Sequence, residues 1–295
     1  MVSVTSLQTK QGNSIALNRF YSTTPDYTAP QDFAMRMGDS VYNFLSTELT
    51  TLIPITNGDV LDDASDASDW SVNSTNDTEA ITTIRRKGPQ AVTLIKNNDT
   101  IAEVIATKEL DSTIDATDTD YWGFFFIDED LIPLLTETES IEIRLETDAS
   151  NYYYKTYDRS ELAAGWNIIK APITEFEEEG SPTITTINDI TFIFITDDVE
   201  TTTIAGDIVL DEQKLVSEED YFKPFVSGFP DINEVNNEAT IRMFLTSVEA
   251  VGFDVSGIGV FNRDTPRKNT SGATFPSEIK TFQNEFTIVQ KNRIL

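Results

Sequence analysis

The chain has 295 residues, and its 50 acidic residues outweigh 21 basic ones to give a net charge of −29. Cysteine and histidine are both absent, which excludes disulfides, thiolate metal sites and the Ser-His-Asp and Cys-His catalytic mechanisms. The negative charge argues against binding to a nucleic-acid backbone, and no segment approaches the roughly 20 apolar residues that a membrane-spanning helix needs.

The negative charge is concentrated in the middle of the chain. Residues 62–219 hold 36 acidic and 10 basic residues, a balance of −26, whereas the two flanks hold 14 and 11, a balance of −3. Such different charge densities predict two folding units. Residues 1–61 and 220–295 together form a discontinuous domain, and residues 62–219 form an acidic insert. Domain insertion is tolerated at exposed loops of a host domain.

The N-terminal arm ends in a predicted strand. Phe33, Met35 and Met37 occupy every second position, which is typical of a β-strand with one buried face. This strand precedes the acidic insert.

The insert has the pattern of an antiparallel sandwich. Ile141, Ile143 and Leu145 alternate with charged residues, which predicts a strand with one buried face. Residues 191–195 are apolar on both faces and are therefore predicted to form a central strand. Turn residues separate these runs, and helical periodicity is missing, so the insert is predicted to be all-β.

Six short motifs of the insert suggest a family. They are Asp69-Trp70, Trp122 to Phe126, Ile141 to Leu145, Asn151 to Tyr154, Gly165 to Asn167, and Gly206 to Asp211. The series resembles the jelly-roll sandwich of galactose-binding-like domains and carbohydrate-binding modules. The resemblance implies a glycan-binding site and a structural calcium ion as expectations for the insert.

Five aromatic residues are the candidates for glycan binding. They are Trp122, Tyr152, Tyr153, Tyr154 and Tyr157. Aromatic faces offer large apolar surfaces on which a sugar ring can stack. On a strand, Tyr152 and Tyr154 share one face and Tyr153 points to the other, so at least one of the three is predicted to be exposed. The alternative for each ring is packing in the core.

Three carboxylates are the candidates for calcium binding. Asp62 and Asp63 lie near the start of the insert, and Asp211 lies near its end. In the jelly rolls that the insert resembles, the first and last strands lie side by side, which predicts that these residues meet. Calcium takes six to eight oxygen ligands. The alternative is a solvated acidic turn.

Catalysis is not predicted. A glycosidase needs two carboxylates at a fixed separation, and the 36 acidic residues of the insert supply so many pairs that none marks a site. No nucleophile and base can be named from the sequence. A polysaccharide-degrading enzyme is therefore the last of the alternatives.

The segment after the insert completes the second unit. Ile241, Met243 and Leu245 alternate with polar or aromatic positions, and further short β-like runs follow. The predicted fold is thus all-β, with two β-sandwich units, in which a jelly-roll domain is inserted into a small β-sandwich made from both chain ends.

The flanks resemble another group of proteins. Their motifs are Leu17 to Arg19, Thr24 to Pro30, Glu238 to Arg242, Ile258 to Asn262, Thr274-Phe275 and Ile279 to Thr281. These motifs are similar to those of small β-sandwich structural proteins of tailed-bacteriophage virions. The resemblance implies a structural virion protein that docks in the tail, baseplate, neck or capsid surface and projects the jelly roll. The implied partners are other virion proteins and further copies of the chain in a symmetric assembly. The alternative function is a glycan-binding module for host surface polysaccharide.

Overall fold

The fold is all-β in the part of the chain that the computed structural model describes. The described residues are 2–5, 7–8, 29–37, 52–56, 58–73, 78–86, 90–95, 103–197, 208–233, 238–263, 267, 269–279 and 285–293. Within these ranges the chain forms 22 strands and several short 3-10 turns. The described ranges contain no α-helix. No helix long and apolar enough to cross a bilayer is found in the described part.

The strands fall in three consecutive groups. The first group is β1 (Val2–Thr5), β2 (Leu7–Gln8), β3 (Asp32–Arg36) and β4 (Leu52–Ile53). The second group is β5 (Asp59–Asp62), β6 (Trp70–Val72), β7 (Thr78–Thr82), β8 (Ala91–Ile95), β9 (Glu103–Ile114), β10 (Thr119–Ile127), β11 (Ile141–Asp148), β12 (Asn151–Tyr157), β13 (Gly165–Pro172), β14 (Glu177–Glu179), β15 (Ile187–Ile195) and β16 (Ile208–Ser217). The third group is β17 (Lys223–Pro224), β18 (Asp231–Asn233), β19 (Glu238–Leu245), β20 (Asp254–Phe261), β21 (Asn269–Ile279) and β22 (Phe286–Arg293).

These groups make two compact units. Residues 1–57 and 218–295 form the flanking unit, and residues 58–217 form the insert. The sequence placed the boundaries after residues 61 and 219, within four residues of these positions. The difference at the first boundary arises because β5 pairs with β16 and so belongs to the insert.

The flanking unit joins the two ends of the chain. Its two sheets have the strand orders β1-β22-β19-β18 and β17-β3-β20-β21-β2, with β4 beside β3. The predicted alternation of Ile241, Met243 and Leu245 is confirmed, because all three side chains are buried. Strand β3 differs from its prediction, since Ala34 is as fully buried as Phe33 and Met35. With β20 on one side and β4 and β17 on the other, β3 is an interior strand of its sheet, and strands buried on both faces are apolar without alternation.

The insert is a sandwich of two antiparallel sheets. The back sheet has the order β13-β10-β16-β8-β7, with β5 also paired to β16, and the front sheet has the order β14-β12-β11-β15-β9-β6. Strand β15 lies inside the front sheet between β11 and β9, as its apolar sequence predicts. The first and last strands of the insert, β5 and β16, lie side by side, which was also predicted.

The core of the insert lies between these sheets. Ile141, Ile143 and Leu145 are fully buried, as their alternation predicts. Phe192 of the front sheet contacts Phe125 of the back sheet, with ring centroids 4.9 Å apart. Each such buried side chain contributes about 1.5–3 kcal/mol through the hydrophobic effect. This packing fixes which face of each front-sheet strand is turned away from the core.

Candidate functional site

The outer face of the front sheet carries two of the predicted tyrosines. Side chains alternate across a strand, so β12 directs Tyr153 towards the core and Tyr152 and Tyr154 away from it. Tyr153 is 8% exposed, and its hydroxyl donates to the carbonyl of Pro182 at 3.3 Å. Tyr152 and Tyr154 are partly exposed. The structure therefore assigns Tyr153 to the core and leaves the other two as surface rings.

The two surface rings form an ordered pair. Their centroids are 5.9 Å apart in a T-shaped arrangement with an interplanar angle of 67°. The Tyr154 hydroxyl donates to Oε2 of Glu177 on the neighbouring strand at 2.8 Å, and this bond raises the pKa of the phenol. The guanidinium of Arg144 lies 4.4 Å from the centroid of the Tyr152 ring, in cation–π geometry. Rings held in this way lose little conformational freedom when a ligand stacks on them.

Arg144 supplies hydrogen-bond donors next to the rings. Its Nε donates to Glu142, two residues earlier on the same face of β11. Among the described residues, neither Nη atom of Arg144 has a hydrogen-bond partner. A planar guanidinium held by one edge presents its remaining donors in a fixed orientation. Those donors suit ligand oxygens that lie beside the tyrosine pair.

The strand register places the polar residues of this face in two rows. One row crosses the sheet in the order Glu179, Tyr152, Glu146, Asp189 and Glu109. The other crosses it in the order Glu177, Tyr154, Arg144, Thr191 and Thr107. We call the surface formed by these two rows, together with Glu142 on the same side of β11, the front face. It combines aromatic rings, hydroxyls, carboxylates and a guanidinium, which are the groups that contact sugars.

Two carboxylates of the front face are electrostatically perturbed. Burial raises the pKa of Glu146, and the nearby charges of Asp189 and Asp148 act in the same direction. Burial and the charge of Glu109 raise the pKa of Asp189. The hydroxyl groups of Thr191 and Thr107, the last two residues of the second row, lie 2.8 Å apart and share a hydrogen bond. Acceptors and hydroxyls are therefore already positioned before any ligand arrives.

The remaining two glycan candidates do not lie on the front face. Trp122 belongs to the back sheet and is 1% exposed, so its ring is not available for stacking from solvent. Tyr157 packs against the insert core, and burial raises the pKa of its hydroxyl. Among the described residues nothing hydrogen-bonds that hydroxyl. Both positions correct the sequence expectation, because large aromatic rings on a sandwich strand are as readily buried as exposed.

The three calcium candidates do not assemble a metal site. Asp62 is 1% exposed and accepts hydrogen bonds from Lys108 Nζ at 2.7 Å and Trp70 Nε1 at 3.1 Å. Asp63 is exposed and accepts from the backbone of its own turn. Asp211 is fully buried and accepts two backbone N–H groups, at 2.5 and 2.9 Å.

The structure does not bring the three candidate carboxylates to one point, and calcium binding itself stays a prediction from resemblance. Asp62 is neutralised by a lysine, and the oxygens of Asp211 are occupied by backbone donors. In the described ranges, no three acidic side chains gather where they could hold a metal ion. Although β5 and β16 are adjacent as predicted, pairing two strands does not by itself turn their carboxylates towards a common point.

Several front-face residues were not among the sequence candidates. Glu142, Arg144 and Glu146 occupy every second position of β11, and this outward polar alternation was a usable signal. Thr191 and Asp189 gave no such signal, because β15 reads as a mainly apolar strand. Their place beside Arg144 and Glu146 follows from the pairing register of β11 with β15.

The front-face residues do not line the cleft that is found on the insert. One cleft of about 750 Å³ lies elsewhere on the insert and is lined by Ile132, Pro133, Glu137, Thr138, Arg159 and Ser160. Arg159 of this cleft donates hydrogen bonds to the carbonyls of Pro133 and Leu135, so its guanidinium stabilises the local fold.

Among the comparisons with known proteins, only the comparison with solved structures finds similar proteins. No protein-family model matches the chain, and no curated protein matches it. A family 11 carbohydrate-binding module of a cellulosomal cellulase from Clostridium thermocellum is 13% identical, covers 55% of this chain and 95% of its own, and has a TM-score of 0.40. The module from the same organism in complex with a β-1,3-1,4-mixed-linked tetrasaccharide is 12% identical, covers 54% and 95%, and has a TM-score of 0.39.

Longer proteins are also similar to part of the chain. An arabinose-bound α-L-arabinofuranosidase is 14% identical, with coverage of 75% of this chain and 34% of its own and a TM-score of 0.37. Identities and TM-scores at this level transfer neither a ligand nor an activity.

Proposed function

We propose that the insert binds a glycan chain on its front face, without catalysis. The observation that carries this proposal is the ordered pair of Tyr152 and Tyr154 on the solvent side of the sheet, with Arg144 held beside it. A sugar ring has apolar C–H faces and a polar rim. The tyrosines offer stacking surface for the faces, and the neighbouring polar groups offer hydrogen bonds for the rim.

The polar groups of the front face match the needs of sugar hydroxyls. A hydroxyl both donates and accepts, and the face supplies the donors of Arg144 and the acceptors of Glu142 and Glu146. The Thr107 hydroxyl can do either, whereas Thr191 is 1% exposed and its hydroxyl is bonded to Thr107 and Glu146. Hydrogen bonds to charged groups are stronger than neutral ones, so a few well-placed partners orient a chain on the front face.

This proposal reverses the order of the hypotheses drawn from the sequence. Glycan binding was the alternative there, and structural docking in a virion was ranked first. The near-neutral flanks, with a balance of −3 against −26 in the insert, favour the flanking unit as the part that docks, since burying unpaired acids is costly. Docking in a phage particle stays a prediction from resemblance. The test is a chain that lacks the insert. If this chain folds but does not incorporate into particles, docking by the flanking unit alone is contradicted.

Replacing the surface tyrosines tests the glycan proposal. We expect Tyr154→Ala and Tyr152→Ala each to weaken binding by about tenfold or more, because truncating an aromatic anchor of a binding site commonly costs about 2 kcal/mol. The measurement is affinity gel electrophoresis of the full chain against a panel of neutral, amine-bearing and anionic polysaccharides. Tryptophan fluorescence of each variant verifies that the insert remains folded.

The same strand provides the control. Tyr153→Phe removes a hydroxyl on the core side of β12 and leaves the front face intact, so it should bind like the wild type. The proposal fails if no polysaccharide retards the wild-type chain, or if Tyr154→Ala binds as tightly as Tyr153→Phe. Release of reducing ends from a bound polysaccharide contradicts binding without catalysis.

A further inference from the structure

Three carboxylates cross the front sheet in register beside the tyrosine pair. Glu146 lies directly opposite Asp189, and Asp189 lies directly opposite Glu109. Their side chains therefore project from the same face of three neighbouring strands. Tyr152 is the partner of Glu146 on its other side, so the carboxylate row begins where the aromatic pair ends.

This carboxylate row is unfavourable for the protein by itself. Like charges that face each other on adjacent strands destabilise a sheet. Glu146 is 7% exposed, so water screens its charge poorly. Its raised pKa, and that of Asp189, are the consequence of burial together with this mutual repulsion. A positive charge brought to the row relieves the repulsion.

Arg144 only partly supplies that charge. It is bonded to Glu142 and lies over the Tyr152 ring, and the pKa of Glu146 stays raised in spite of it. At the paired positions of this face, one guanidinium stands against six carboxylates. These are Glu109, Glu142, Glu146, Glu177, Glu179 and Asp189. An anionic glycan laid on the tyrosine pair meets this excess of negative charge.

We propose that the carboxylate row makes the front face selective for glycans that carry free amino groups, such as polymers of de-N-acetylated hexosamine. The inference rests on the proposed function, because the glycan is held by the tyrosine pair and the row sets its charge. A protonated amine on a sugar ring next to Tyr152 reaches Glu146 and Asp189 and forms charge-assisted hydrogen bonds with them. Glycans with carboxylate, sulfate or phosphate groups are repelled.

A pair of oligosaccharides that differ only in N-acetylation, and therefore in the positive charge of the amine, tests the selectivity. Glucosamine and N-acetylglucosamine oligomers of equal length and linkage are titrated into the full chain by calorimetry, at a pH where the amines are protonated. Polygalacturonate is the anionic probe. We expect the amine oligomer to bind about tenfold more tightly than its acetylated counterpart, and polygalacturonate to give no binding.

Two substitutions connect the preference to the row. Glu146→Gln keeps the shape of the side chain and removes its charge, so the preference should fall by about tenfold, to near unity. Glu129→Gln makes the same change of net charge at an exposed turn of the insert and should leave the preference unchanged.

The outcomes separate the inference from the function beneath it. Equal affinity for the two oligomers overturns the selectivity, as does binding of a neutral or anionic glycan in place of both. If that binding still depends on Tyr154, the proposed function stands. An equal loss of preference in Glu146→Gln and Glu129→Gln also overturns it, because overall charge then explains the effect. If no glycan of any charge binds, the proposed function itself fails.

Discussion

Asp62→Ala is expected to lower the free energy of unfolding of the insert by about 3–5 kcal/mol, because it removes one partner of a buried ion pair. Lys108 has a 12% exposed side chain and pairs with Asp62 at 2.7 Å. Burial opposes its charge, but the bonds to Asp62 and Asp69 outweigh this and raise its pKa. Without Asp62 the lysine keeps one exposed partner, and the indole N–H of Trp70 loses its acceptor.

The effect is large because Asp62 joins the two sheets. It lies on β5 of the back sheet, whereas Lys108 and Trp70 lie on β9 and β6 of the front sheet. The measurement is urea unfolding followed by tryptophan fluorescence. All three tryptophans of the chain belong to the insert, so their signal reports on this unit.

The neighbouring residue is a matched control. Asp63 is exposed and bonds only within its turn, so Asp63→Ala should change the free energy of unfolding by about 1 kcal/mol or less. Replacing the pair together, as Asp62→Leu with Lys108→Met, should recover much of the loss, because no charge is left buried without a partner. Equal effects of Asp62→Ala and Asp63→Ala contradict this interpretation.

Asp32→Ala is expected to have the largest effect in the flanking unit, about 3 kcal/mol. The side chain of Asp32 is 3% exposed and receives two hydrogen bonds from Arg263, both at 2.8 Å, and one from Arg267 at 2.6 Å. Arg267 also lies 4.2 Å from the Phe222 ring centroid. We expect the lower end of the usual range because Arg267 keeps its bonds to Glu219.

Hydrogen exchange measures this loss without relying on tryptophan. Amide protons of β3 and of its partner β20 should exchange faster in Asp32→Ala than in the wild type. Asp231→Ala, which removes an exposed carboxylate of the same unit, is the control. Unchanged protection of β3 in Asp32→Ala rules out a stabilising role for this ion cluster.

The same cluster predicts a dependence on pH. Burial favours the neutral form of Asp32, but the bonds to Arg263 and Arg267 outweigh it, and the pKa is lowered. A lowered carboxyl pKa contributes stability above the unfolded value of about 3.9, and this contribution is lost as the pH falls through the folded value. Asp32→Ala should therefore flatten the acid limb of the stability profile below about pH 4.

Only the tertiary structure decided which of the candidate residues share one surface. The physical cause is the register in which the strands pair. The sequence singled out Tyr152 and Tyr154 but could not separate them from Trp122 and Tyr157, since an aromatic ring fits a core as well as a surface. Which ring is exposed depends on which face of its strand meets the other sheet. Strands distant in sequence, such as β11 and β15, bring Arg144 and Thr191 together only through their pairing.

The three calcium candidates do not converge, for a related reason. The sequence predicted that β5 and β16 lie side by side, which they do. It could not show that Lys108, 46 residues away, satisfies Asp62, or that backbone N–H groups satisfy Asp211. The partners of a carboxylate depend on its neighbours across sheets, and composition carries no information about them.

By itself, the sequence determined the all-β class, the buried faces of β11 and β19, the central position of β15 and the separation of an acidic insert from near-neutral flanks. These features follow from local periodicity and composition, which each segment carries within itself. The tertiary structure alone decided that a tyrosine pair, a guanidinium and a row of facing carboxylates share one surface. That arrangement requires four strands, β12, β11, β15 and β9, brought into register by packing around a common core.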